Sequence, residues 1–253
     1  MNKDANLYER KYKNIGQINS EIVGAWKELI GESGINYIKQ HFSYALEDDI
    51  EYIVEIKKTK YNKLKKYYMS HCISEDTFIT QHYSDKNLGY FFLDFLSLIY
   101  KNTQSKIKNS MLRITKVAIL NYLDMVYDKF LLIAARTIIF DMNLWNQQYS
   151  GYGTAENLYS VYCKNFLSNR EYRISFYEEY PAVFRSMLET TIYAIDNYGL
   201  FLKRIEKDKR EIQQILCDGM RFTCITNIEG KLSDSHCGGK NVLRLKLDNG
   251  KSI

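Results

Sequence analysis

Near the end of the chain two side chains able to exchange protons, Asp234 and His236, stand two residues apart, and Gly238-Gly239-Lys240 follows them. In an extended backbone that spacing sends both side chains to one side. Histidine changes charge near neutral pH, and a neighbouring carboxylate can orient it or stabilise its charged form. A glycine-rich connection between strands can lay backbone N–H groups against phosphate oxygens, because glycine permits close approach and unusual dihedrals. The segment therefore holds the parts of an acid/base pair beside a phosphate site, and Gly238, Gly239 and Lys240 are the phosphate-side residues. An ordinary polar hairpin connection contains the same residue types.

The other reactive side chains form no such set. Cys237 adjoins His236, but its spacing to Cys217 and Cys224 fits no zinc pattern, so no metal ligands are assigned. His41, His71 and His82 read as structural. Five cysteines, an odd number without close pairing, suit a reducing cytosol. The polar start Met1-Asn2-Lys3-Asp4 shows neither a secretory signal nor a lipid anchor, so a cytoplasmic location is expected.

The elements that must position this loop are mostly helical. One proline and 13 glycines in 253 residues leave long uninterrupted helices more room than many short strands. Helical spacing is expected over 86–100, over 108–143, and from Pro181, which suits a first helical turn, to about Ile215. The second of these is apolar on nearly all sides in its later part, which places it near the centre of the fold. Thr154 suits a helix N-cap after the glycine-bearing stretch 149–153. The apolar runs 90–100 and 130–140, interrupted by Asp94 and Arg136, are each about half the ~20 residues of a spanning helix, so no membrane span is expected. The 22 tyrosines are scattered and carry no functional weight in the sequence.

After Gly219 the period changes. Residues 222–228 are β-branched and aromatic, 242–247 alternate strictly, and both read as strands joined by the connection 229–240. Asp248-Asn249-Gly250 is a tight-turn signal, so a third strand should begin at Lys251. The expected fold is α+β and predominantly α-helical, with long helices followed by a C-terminal antiparallel β-hairpin. No helix follows the glycines and no Gly-Lys-Ser/Thr is present, so the nearer analogy is the loop over the phosphates in kinase-like folds.

The run Leu232-Ser233-Asp234-Ser235-His236-Cys237-Gly238-Gly239-Lys240, with Asp248-Asn249-Gly250 behind it, resembles the dehydratase domain of class II lanthipeptide synthetases. That family's loop usually reads Gly-Asp-Pro-His-x-Gly-Gly-Arg. Residues 135–143, 179–183 and on to 202 also look like its helical segments, so the resemblance covers roughly 109–253. It implies the start of a kinase-like N-lobe and an activity that phosphorylates Ser and Thr of a precursor peptide with ATP and Mg²⁺, then eliminates phosphate to leave dehydroamino acids. By the same resemblance Asp234 and His236 belong to the elimination half, while Gly238 and Gly239 are the loop glycines. Ser233 and Ser235 replace the usual Gly and Pro. Lys240 replaces Arg, which keeps charge but loses the bidentate fork.

Three regions are expected: 1–105 as an N-terminal helical region, 106–216 as the helical part of the dehydratase, and 217–253 as the start of the sheet. The ATP lysine would lie just beyond Ile253, with the catalytic loop and the zinc-dependent cyclase farther on. An N-terminal fragment, inactive alone, is therefore expected, with the precursor peptide and the remaining part of the synthetase as partners and ATP and Mg²⁺ as cofactors of the complete enzyme. The alternative is a stand-alone helical protein- or peptide-binding module using the lysine-rich stretch 57–66, which otherwise reads as a solvated helix face. A net charge of only +5, spread along the chain, demands no nucleic-acid partner.

Overall fold

A computed structural model describes residues 60–70, 76–86, 88–148, 154–230, 232 and 240–253, together with Glu32 and Asn36, which are helical. The chain divides into two compact units, Met1–Lys63 and Leu64–Ile253. The second carries nearly all the described residues, and the account below concerns it. The division expected at 105/106 falls inside a continuous helix.

Helix α1 (Lys60–Ser70) leads to α2 (Thr77–Tyr83), where the Asp76 carboxylate accepts from Phe78 N at 3.0 Å and so caps one of the free N–H groups of the first turn. Helix α3 (Gly89–Lys108) is the most enclosed element: Phe91, Phe92, Phe95, Leu96 and Ile99 are all buried. Each such side chain contributes roughly 1.5–3 kcal/mol by leaving water. The expected helix over 86–100 thus begins at Gly89 and runs eight residues farther than Tyr100, to Lys108. Gly89 is required at that start because a Cβ there would stand 1.8 Å from the Tyr83 carbonyl oxygen.

Strand β1 (Arg113–Ile114) precedes α4 (Lys116–Gln148). Between them Thr115 does two things. Its Oγ1 accepts from Ala118 N at 3.2 Å, starting α4, and donates to the Thr226 carbonyl at 2.8 Å, fixing that start to the sheet. The later half of α4 is covered on one face only. Phe130, Ala134, Ile138 and Trp145 are buried, but Leu132 is 85% exposed and Ile139 and Phe140 are exposed too. The all-round apolar pattern therefore marks a helix with one open apolar side, and not the centre of the fold; α3 occupies that place.

Helix α5 (Ala155–Val161) is capped by Thr154, whose Oγ1 accepts from Asn157 N at 3.3 Å, as its sequence position implies. A π-helical turn (Tyr162–Leu167) leads to α6 (Arg170–Glu179), capped by Asn169. Helix α7 (Pro181–Glu211) begins on its proline and ends in a second π-helical turn, Ile212–Leu216.

Strands β2 (Cys224–Glu229) and β3 (Arg244–Leu247) complete a sheet of order β1-β2-β3. β2 and β3 are antiparallel with Ile228 opposite Leu245, and β1 pairs parallel to β2, Ile114 opposite Ile225. The turn after β3 uses Gly250 at φ 81, a left-handed conformation suited to glycine. Beyond it the chain pairs back on β3: Leu245 N donates to the Ile253 carbonyl at 2.8 Å and Ile253 N to the Leu245 carbonyl at 3.0 Å. A third strand direction therefore does begin at Lys251. The fold is predominantly helical α+β, with its small sheet packed on α4. Among the described residues no helix is long and apolar enough to cross a membrane.

Candidate functional site

The β2–β3 connection carries the residues that sequence reading singled out. Asp234, His236, Gly238 and Gly239 lie outside the described residues. Lys240 is described, and it is exposed. What the structure fixes is where both ends of the connection are held. At its start, Gly230 lies against α4 so closely that a Cβ there would stand 2.1 Å from Cε of Met125. At its end, Lys240, Asn241 and Leu243 lie along a cleft between α4 and α7. The two ends of the connection are thus held by helices from distant parts of the sequence, Gly230 against α4 and Lys240 and Asn241 at the cleft between α4 and α7.

The strand bases of the connection are tied by charge. Glu229 accepts from Lys246 at 2.7 Å and faces Arg244 at 3.7 Å. The hydrogen bond from Lys246 holds the Glu229 carboxyl below its usual range, with the Lys246 and Arg244 charges acting in the same sense against a smaller effect of burial. Asn227 donates to the same carboxylate at 3.1 Å and accepts from Asn121 of α4. At the opposite end of the hairpin Asp248 accepts from Thr223 N at 3.0 Å and Thr223 Oγ1 at 2.7 Å. Burial pushes the Asp248 carboxyl up, but these hydrogen bonds outweigh it and leave it below the ordinary value. The hairpin is thus clamped at both ends.

The cleft has a volume of about 520 Å³. Its α4 wall is Tyr122, Met125, Val126, Lys129, Leu132 and Ile133, which repeat at helical spacing along one face. Its α7 wall includes Tyr193, Asn197, Leu200, Phe201 and Arg204. Three cations from three elements border it, Lys129, Arg204 and Lys240, and no carboxylate is among the described lining residues. Burial among the apolar neighbours pushes the Lys129 ammonium below its ordinary value. Asn241 adds a buried Oδ1 without a hydrogen-bond partner among the described residues. Chemically the cleft offers apolar walls and positive charge, which suits an amphipathic anionic ligand.

Sequence reading found Lys240 but not its company. Lys129 was visible as the one charge within an apolar helical stripe; Arg204 lay among the many charges of α7 and gave no signal. His82 touches Lys86, Nε2 to Nζ at 3.2 Å, and Lys86 pairs with Asp124 at 2.7 Å, which agrees with a structural role. Of the lysine-rich stretch 57–66, residues 57–59 lie outside the described residues, and Lys63 and Lys66 are exposed on α1. Among the described residues no cluster of three or more His, Cys, Asp or Glu could hold a metal.

No curated protein matches the chain. The model of one family, described as a domain of unknown function (DUF4135), matches residues 180–253, a span that takes in α7, β2, β3 and the connection between them.

Proposed function

We propose that this chain forms part of a lanthipeptide synthetase dehydratase, in which the β2–β3 connection lies over the phosphates of ATP and the helices scaffold it. One observation carries the reading. A glycine-bearing connection joins two antiparallel strands, and the chain after the next turn pairs back on β3, which is the order of strands a kinase-like N-lobe begins with. The family matched at 180–253 is associated with lanthionine synthetase-like proteins, which supports the same reading.

In this account ATP and Mg²⁺ supply the phosphoryl group and its charge neutralisation. The glycines Gly238 and Gly239 let backbone N–H groups approach phosphate, and Lys240 adds positive charge at the loop's end. Asp234 orients His236, and His236 moves the proton when phosphate leaves a phosphorylated Ser or Thr. The peptide substrate, ATP and Mg²⁺ are the partners the reading requires, and zinc belongs to a cyclase.

The test is mass spectrometry of candidate precursor peptides incubated with the complete encoded polypeptide, ATP and Mg²⁺. ATP-dependent loss of one water per modified Ser or Thr is expected. Unmodified peptides, with ATP turnover no greater than background, would reject the reading.

A further inference from the structure

We infer that the cleft between α4 and α7 is a docking groove for an acidic amphipathic helical segment of the peptide substrate. In naming a peptide as occupant the inference rests on the function proposed above; the groove's chemistry stands on the structure. The α4 wall spans twelve residues from Tyr122 to Ile133 and the α7 wall sixteen from Thr190 to Ile205, roughly 16 and 22 Å of helix from the first residue to the last. A third helix of about 11 to 15 residues would lie along such a floor.

Three features define the occupant. First, the floor keeps apolar surface in water: Leu132 is 85% exposed, and Tyr193 and Leu200 are also exposed. A helix docked in a groove covers such residues with apolar side chains at i, i+3, i+4 and i+7. Second, Lys129, Arg204 and Lys240 border the groove and no carboxylate is among its described lining residues, so complementarity calls for acidic flanks on the occupant. Third, Lys240 and Asn241 belong to the end of the β2–β3 connection, so a segment seated here reaches the end of the loop proposed to act on the substrate. Docking one part of a peptide beside the loop raises the effective concentration of the rest at the reacting groups.

The test is fluorescence anisotropy with a fluorescein-labelled 15-residue peptide, leucine at helical spacing on one face and glutamate elsewhere, titrated with the complete encoded polypeptide without ATP. Saturable one-to-one binding is expected, weakened about tenfold by the double variant Arg204→Glu, Lys240→Glu and by Leu132→Asp. All three side chains are exposed, and unchanged far-UV circular dichroism will show that the variants fold. The same peptide with lysine in place of glutamate is expected not to bind. No saturable binding of the glutamate peptide, equal binding of the lysine peptide, or affinity unchanged in both variants would overturn the groove. So would one-to-one saturation by sodium laurate with no peptide bound, which would assign the cleft to a small amphiphile. Peptide binding without any dehydration counts against the enzymatic reading alone, whereas dehydration by a protein that fails to bind the peptide counts against the groove alone.

Discussion

At the scale of single residues, the acid that interrupts the apolar run 90–100 has definite partners. Asp94 is 1% exposed within α3, and it accepts from Arg173 Nη2 at 3.0 Å and from Tyr68 Oη at 2.7 Å. Arg173, 2% exposed, also donates to the carbonyls of Leu167 and Ser168, so it joins α3, the π-helical turn and α6. Asp94→Ala leaves that guanidinium buried without its carboxylate and is expected to cost about 3 kcal/mol, read as a lower urea midpoint. A loss below ~1 kcal/mol would contradict the proposed role of the pair. Asp94 was legible as an anomaly in an apolar run; its partner, 79 residues away, was not, since nothing local couples the two. The tyrosines were undervalued for a similar reason. Tyr172 donates to Asp141 at 2.6 Å, Tyr180 and Tyr162 donate to the same carboxylate, and Tyr83 donates to Asp124 at 2.8 Å. A tyrosine that looks like compositional habit is here a core aromatic whose hydroxyl satisfies a carboxylate. Tyr172→Phe is expected to lower stability by about 1 kcal/mol in the same measurement, with no change as the contrary result.

At the scale of elements, an exposed ion pair lies at the outer edge of the hairpin. Lys251 donates to Asp218 at 2.6 Å, which holds the Asp218 carboxyl below its usual range and the Lys251 ammonium above its own. The depressed Asp218 contributes fully above its unfolded value of about 3.9, and that contribution disappears as pH falls through the folded one. The raised Lys251 contributes fully below its unfolded value of about 10.4 and loses this as pH rises through its folded one. Amide protection of Leu245 and Ile253, corrected for intrinsic exchange, should therefore fall slightly at both pH extremes and be modestly lower between them in Lys251→Met. An identical profile in that variant would show the pair to be idle. The Thr154 cap and the proline start of α7 were readable because each acts on its own neighbours. β1 was not: two residues between two helices carry no period, and only pairing with β2, some hundred residues later, makes them a strand.

At the scale of the whole molecule, the helices and sheet of 64–253 form one compact unit in which α4 and α7 hold the two ends of the β2–β3 connection. Fold class and the antiparallel pairing of β2 with β3 were legible from periodicity and turn residues. The cleft was not, because its cations come from α4, α7 and the connection, and only folding brings them together. The central claim is that Asp234 and His236 eliminate phosphate from a peptide that the same protein has phosphorylated. The most direct measurement is mass spectrometry of a precursor peptide treated with ATP, Mg²⁺ and the complete encoded polypeptide carrying Asp234→Asn or His236→Ala. Phosphorylated peptide accumulating in place of dehydrated product is the expected result, and normal dehydration by both variants would contradict the account.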